Sequence, residues 1–118
     1  MEEKKCDYMK QALEKLSVSL QTLQKEAPEY NKAFFEFVEQ AEKEGALSVK
    51  TKELISIALG ITAHCTHCIA FHVKNAIEAG ASRQEILEAG LVAGLMGGGP
   101  AVAYLQYVFD ACDQFGAK

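Results

Sequence analysis

The sequence predicts an all-α fold of six short helices, packed as a bundle or an orthogonal array. Apolar residues recur at three- and four-residue spacing along most of the chain, which is the period of one helix face. No stretch combines period-two alternation with strand-type residues. The 118 residues are 49% apolar and 24% charged, and this is enough for one domain, residues 1–118, with its own core.

A proline separates the first two predicted helices. The first helix, from about Glu3 to Glu26, carries a stripe of four leucines: Leu13, Leu16, Leu20 and Leu23. Ala27 precedes Pro28, and the residue before a proline avoids helical backbone angles, whereas Pro28 itself suits the first turn of a second helix. The second helix is predicted to end at Gly45 and to bury one face, composed of Tyr30, Phe34, Phe37, Val38 and Ala41.

The middle of the chain contains two more helices. Ser48 is the expected N-cap of a third helix that runs to about Thr62. The apolar face of this helix is Leu54, Ile57, Ala58 and Ile61. A fourth helix then holds the stretch from His64 to His72 and ends at Ala79-Gly80.

The last two predicted helices are nearly uncharged. Ser82 and Glu85 have the spacing of a capping box at the start of the fifth helix, which has Ile86, Leu87 and Val92 inside it. The glycines 97–99 break that helix, and Pro100 opens a sixth, with Tyr104, Tyr107 and Val108 along it. The run from Ala89 to Phe109 lacks charge, but its glycine–proline break would interrupt a membrane-spanning helix. We therefore expect two buried helices that meet at a tight turn, and no membrane partner.

Small residues at Gly90 and Gly94 permit close helix approach, and the apolar supply is generous for so short a chain. We therefore expect an oligomer in which part of this surface is buried between subunits. The alternative is a well-filled monomer core.

The net charge and the placement of the cysteines make some classes of function less favourable than others. A net charge of -4 argues against nucleic acid or an anionic membrane as the main partner. The charged amino terminus lacks the apolar core of a signal peptide, so we expect a cytoplasmic protein. In that reducing compartment a closely spaced cysteine pair is more often catalytic or metal-binding than structural. Cys6 and Cys112 have no partner close in sequence and are predicted to be small apolar residues.

The stretch from His64 to His72 holds two cysteines and all three histidines of the chain. On a regular helix Cys65, Cys68 and His72 share one sector, and the imidazole of His72 is one turn from Cys68. A helix start favours a thiolate at Cys65, whereas the neighbouring histidine favours one at Cys68. Because the histidine is a specific partner, we favour Cys68 as the activated nucleophile and Cys65 as the resolving thiol.

Less specific interpretations of the same residues remain. The cysteines could be inert core residues, or Cys65, Cys68 and His72 could bind zinc with a fourth ligand from Cys112, Glu53 or a neighbouring subunit. His64 and His67 lie off the shared sector, so His67 is an accessory residue at most. Glu53 has two interpretations. It is either an acid in the first turns of a helix, where the macrodipole stabilises it, or a carboxylate that turns inward to orient His72.

The spacing of four residues resembles a known signature. Glu53, Cys65, Cys68 and His72 match the Glu-x11-Cys-x2-Cys-x3-His pattern of the AhpD-like alkylhydroperoxidases, within the carboxymuconolactone decarboxylase superfamily, and His67 matches as well. The resemblance covers roughly residues 30 to 110. It implies an all-α domain that assembles as a homotrimer or homohexamer. This chain is about one family repeat, so its partner surface is expected to differ from that of the two-repeat enzyme.

The resemblance also implies an activity. The reduced dithiol would destroy a hydroperoxide and be regenerated by an external thiol partner, which is a lipoyl-bearing protein in the best-studied branch, with no bound cofactor or metal. Cys68 would attack the peroxide, Cys65 would close the disulfide, and His72 and Glu53 would relay protons to and from Cys68 with help from His67. The decarboxylase branch generally lacks the cysteine pair, which argues against lactone decarboxylation here. A zinc-binding or structural oligomer, and a cofactor-independent lyase working through His72, are the alternatives.

Overall fold

The computed structural model describes residues 7–118, and this part of the chain forms six α-helices and no strand. The helices are α1 (Tyr8–Glu26), α2 (Pro28–Glu42), α3 (Val49–Thr62), α4 (Thr66–Glu78), α5 (Arg83–Gly97) and α6 (Gly99–Phe115). The prediction of an all-α, six-helix fold is confirmed. Cys6 and the predicted first turn of α1 lie outside the described residues.

The predicted helix starts are confirmed at two caps. The Ser48 hydroxyl accepts a hydrogen bond from the Thr51 amide at the start of α3. At the start of α5, Ser82 and Glu85 form both hydrogen bonds of a capping box. These bonds satisfy amide groups that have no partner inside the helix, which fixes the positions of α3 and α5 along the chain.

The uncharged run is divided as predicted, because α5 ends and α6 begins around Gly98. Gly98 has φ +67°, a backbone conformation that residues with a side chain rarely adopt. No helix among residues 7–118 is long and apolar enough to cross a membrane.

The core lies between α3, α4, α5 and α6. Its fully buried side chains include Ile57 and Ile61 of α3, Ile69 and Val73 of α4, and Ile86 of α5. Burying one such side chain stabilises the fold by roughly 1.5–3 kcal/mol. The core therefore holds α3 and α4 rigidly side by side, and these two helices carry the predicted site.

The leucine stripe of α1 is only half-buried. Leu13, Leu16 and Leu20 line an open groove of about 620 Å³ together with Phe35 of α2 and Phe71 of α4. None of the cysteines of the described chain, and neither Glu53 nor His72, lines this groove.

The predicted buried face of α2 is wrong for the single chain. Tyr30 is 65% exposed and Phe37 is 71% exposed, and Phe34 and Ala41 are exposed too. Of the predicted face only Val38 turns inward, because the inward face is rotated by about one residue and carries Asn31 and Glu42 beside it. Polar partners explain the rotation, since the Asn31 amide donates to Gln24 of α1 and Glu42 lies beside groups of α3 and α4.

Val92 was also predicted to lie inside, and it is 58% exposed. The inward face of α5 is occupied by Ile86, Gly90 and Ala93. A β-carbon added at Gly90 would lie 2.7 Å from Leu105 Cδ2, so this glycine permits the close approach of α5 and α6. Val92 therefore falls on an outer face that also carries Leu91, Leu95 and Met96.

Candidate active site

The site begins at the turn between α3 and α4. The Cys65 amide donates to the Gly60 carbonyl at 3.0 Å, and the His64 amide donates to the Ile61 carbonyl at 3.1 Å, as in a Schellman motif. His64 has φ +54° at the position where glycine is usual, and its ring stacks on Tyr104 with centroids 4.6 Å apart. The turn thus ends α3 and places Cys65 directly before α4.

Cys65 is the N-cap of α4, and it is bonded to Cys68 in a disulfide. Its sulfur accepts a hydrogen bond from the Cys68 amide at 3.1 Å. First-turn amides and the helix macrodipole favour negative charge at this position, so the fold stabilises a thiolate at Cys65 once the pair is reduced. Both cysteines are partly exposed, which leaves the disulfide accessible from solvent.

Gly60 lets the cysteine pair approach α3. A β-carbon at this position would lie 3.3 Å from Cys68 Cβ and 3.7 Å from Ile69 Cγ1. The first distance is tighter than most packed contacts, so a side chain here would push the start of α4 away from α3.

His72 lies one helical turn after Cys68, within the same helix, so the two side chains share a face of α4. Its Nδ1 lies 2.7 Å from Oε2 of Glu53 on α3. An ionised carboxylate only accepts hydrogen bonds, so Nδ1 carries the hydrogen and Nε2 is left as the basic nitrogen. Glu53 is only 4% exposed, and this agrees with the predicted carboxylate that turns inward to orient His72.

A second carboxyl group lies beside this pair. Oxygen atoms of Glu42 and Glu53 and a ring nitrogen of His72 lie within 4.8 Å of one another. Burial raises the pKa of Glu42 above its ordinary value, and the neighbouring Glu53 raises it further, whereas Ser56 and a charged His72 lower it. Three helices therefore bring two carboxyl groups and one imidazole together.

Glu53 and His72 hydrogen-bond each other here, so a metal ion would have to displace that hydrogen before both could coordinate it. The zinc set expected from the sequence cannot form while the two cysteines are oxidised. Cys65 and Cys68 are bonded to each other, and Cys112 is buried on α6, where it borders a cavity with Arg83 and Leu87.

His67 is exposed on the first turn of α4 and makes no hydrogen bond or ion pair to residues 7–118. Of the five residues named from the sequence, the structure thus joins Cys65 to Cys68 and Glu53 to His72, whereas His67 has no hydrogen bond to either pair.

The sequence pattern of the carboxymuconolactone decarboxylase family matches residues 28–110, which include every residue of this site. The chain belongs to the carboxymuconolactone decarboxylase family. It is 31% identical over 103 residues to a protein of the cox locus of Paracoccus denitrificans, covering 87% of this chain and 93% of that one. It is 35% identical over 72 residues to an uncharacterized protein of Cupriavidus necator, covering 61% of this chain and 64% of that one.

Solved structures of family members have the same fold. A carboxymuconolactone decarboxylase family protein from Legionella pneumophila superposes with a TM-score of 0.91 at 35% identity, covering 93% of this chain and 98% of that one. A family protein from Thermotoga maritima gives a TM-score of 0.77 at 26% identity, with coverage of 86% and 87%. A family protein from Burkholderia xenovorans gives 0.73 at 27% identity, with coverage of 80% and 76%.

Two features near the site were not predicted from the sequence, namely the inward position of Glu42 and the left-handed backbone of His64. Glu42 follows Asn31 and Val38 at helical spacing, so a polar inward stripe on α2 was available as a signal. His64 gave no such signal, because its left-handed backbone depends on the closure between α3 and α4.

Proposed function

We propose that this protein is a thiol-dependent peroxidase that reduces hydroperoxides through Cys65 and Cys68. The observation that supports this most is the redox pair at the start of α4, one turn before a histidine that a buried carboxylate orients. A thiolate is the form of cysteine that attacks a peroxide, and both the helix start and the histidine favour it. A role in the antioxidative response has also been suggested for the Thermotoga maritima relative.

The proposed cycle begins with reduced protein. His72 takes the proton of the Cys68 thiol, and the thiolate attacks the O–O bond of the hydroperoxide. One oxygen remains on sulfur as a sulfenic acid, and the other leaves as an alkoxide that accepts the proton from His72 to become an alcohol. The Cys65 thiol then condenses with the sulfenic acid, which gives the disulfide and water.

An external dithiol completes the cycle by thiol–disulfide exchange. It reduces the Cys65–Cys68 disulfide to two thiols and becomes a disulfide itself. The partial exposure of both cysteines supports access by such a partner. We propose a protein dithiol for this role, with a lipoyl-bearing protein as the first to test, in a reducing compartment such as the cytoplasm.

The family name also favours a second candidate, a lyase that works through His72 without the cysteines. The hydrogen bond between His72 and Glu53 supports acid–base chemistry by itself, since it leaves Nε2 able to accept a proton. The position of the cysteine pair beside this histidine favours the peroxidase instead.

The test is consumption of cumene hydroperoxide with excess dithiothreitol. We expect the wild-type protein to consume peroxide well above the protein-free rate and the Cys65→Ser/Cys68→Ser double variant to match that rate. Cys112→Ala is the matched control, because it removes a cysteine outside the site and should keep the activity. Wild-type protein that does no better than dithiothreitol alone would contradict the proposal, and lactone turnover by the double variant would favour the lyase.

A further inference from the structure

Glu42 is the last residue of α2, and its carboxyl group is held between α3 and α4. It faces Glu53 and Ser56 of α3 and His72 of α4. The ammonium group of Lys52, also on α3, bonds instead to the Lys43 carbonyl at 2.5 Å. From α1, Gln24 meets α2 at Asn31, close to the other end of that helix. The groups that act on Glu42 are therefore a carboxylate, a hydroxyl and an imidazole.

Ser56 offers Glu42 only a shared hydrogen. Its Oγ is 2.9 Å from the Lys52 carbonyl and 3.1 Å from Oε1 of Glu42. A hydroxyl has one hydrogen, and a carbonyl oxygen can only accept. Ser56 donates towards both oxygens, so its one hydrogen is shared and compensates an ionised Glu42 only in part. A protonated Glu42 would leave that hydrogen to the Lys52 carbonyl.

The other carboxyl oxygen of Glu42 points to a protonated acid. Oε2 is buried, and it has no hydrogen-bond partner among the described residues. An ionised carboxylate would leave this oxygen charged and without a hydrogen bond, next to the carboxylate of Glu53. A protonated carboxylic acid avoids both costs.

We propose that Glu42 is a positioning residue that keeps one proton on the Glu42–Glu53 carboxyl pair, so that the pair presents a single negative charge to His72. One charge balances the imidazolium that forms when His72 takes the proton of Cys68. A second charge would hold that proton on His72 and slow its delivery to the leaving alkoxide. This role in proton delivery rests on the proposed function, whereas the protonation state itself does not.

The test is an NMR titration of the full chain in its disulfide form, which requires no turnover. The side-chain carboxyl ¹³C shifts of glutamate and the ring ¹⁵N shifts of His72 are followed from pH 4 to 9. We expect the carboxyl shift of Glu42 to keep its protonated value at the pH of the peroxidase assay, whereas that of Glu39, an exposed glutamate one turn earlier on α2, has the ionised value there. The His72 shifts should contain a second inflection at the Glu42 midpoint, because the two groups are in contact.

Glu42→Gln and the control Glu39→Gln complete the test. Glutamine mimics the protonated acid, so Glu42→Gln should remove the second inflection and leave the His72 midpoint unchanged. Glu39→Gln should change neither. Titration of Glu42 together with Glu39, or a fall in the His72 midpoint of about one unit in Glu42→Gln, would overturn the proposal by showing an ionised Glu42. The expected titrations in a protein without peroxidase activity would reject the proposed function and leave the protonated pair standing.

Discussion

His72 Nδ1 and Glu53 Oε2 lie 2.7 Å apart across the α3–α4 interface, with side chains that are 18% and 6% exposed. A hydrogen bond so well shielded from water fixes both the tautomer and the orientation of the imidazole. The core residues that pack α3 against α4 are therefore also what keeps the basic nitrogen of His72 in place.

Glu53→Gln should lower peroxide turnover by on the order of 10²-fold, because the amide cannot stabilise the imidazolium that forms during proton transfer. The measurement is kcat/KM for cumene hydroperoxide as a function of pH, since a purely structural loss would scale the rate equally at every pH. Glu88→Gln, on the exposed side of α5, is the matched control. A wild-type rate and pH profile in Glu53→Gln would show that the carboxylate does not act through His72.

Replacing each cysteine singly should have a different effect on the reaction with peroxide. Cys68→Ser should abolish peroxide turnover, because it removes the proposed attacking thiolate. Cys65→Ser should still form one sulfenic acid per chain without cycling through the internal disulfide. Trapping with dimedone followed by intact mass distinguishes the two variants. Sulfenic acid in Cys68→Ser, and none in Cys65→Ser, would reverse the assigned roles and make the N-cap cysteine the nucleophile.

The buried thiol of Cys112 should make the fold sensitive to alkaline pH. Burial raises its pKa from 9.0 to about 11, Asp113 adds to this rise, and Arg83 opposes it. Below pH 9 both folded and unfolded chains keep the proton; above it the unfolded chain ionises first, so stability is lost as the pH rises towards 11. The fall in urea midpoint between pH 8.5 and 10.5 should be smaller in Cys112→Ala than in wild type. An equal fall in the urea midpoint of both proteins would show that groups other than Cys112 cause the loss of stability at alkaline pH.

Self-association should cover the aromatic face of α2. Tyr30, Phe34 and Phe37 are exposed on this face, and α5 also carries exposed apolar residues. We expect sedimentation at micromolar concentration to give a mass that is a multiple of the 12.9 kDa chain. Phe37→Gln should weaken the association, and Glu36→Gln on the same helix should not. A monomeric mass for the wild-type protein would contradict this prediction and show that these apolar side chains remain exposed to solvent.

The local features of the fold were predictable because single residues decide them. Ser48, Ser82 and Pro28 set helix starts through capping and backbone restriction, whatever the rest of the chain does. The orientation of α2 was not predictable in the same way. Its aromatic face is more apolar than its inward face, and polar contacts of Asn31 and Glu42 with other helices decide which one turns inward.

In the candidate site too, local features were predictable and features that depend on other helices were not. The spacing of Cys65, Cys68 and His72 is local, so one helix start was enough to anticipate their proximity. The partner of His72 lies nineteen residues away on another helix, and its inward orientation was only one of two interpretations. The helical spacing of Glu42 from Asn31 was not enough to place it, because a carboxyl group at a helix end is usually solvated, and its burial here depends on α3 and α4.

The most direct test of the peroxidase proposal is a thiol count on the fully reduced protein. The chain has four cysteines, and about one equivalent of cumene hydroperoxide is added while free thiols and intact mass are followed with time. Rapid loss of two thiols per chain, with a product two hydrogens lighter and a disulfide mapped to Cys65–Cys68, is the predicted result. Four thiols that persist in the presence of the hydroperoxide would contradict it.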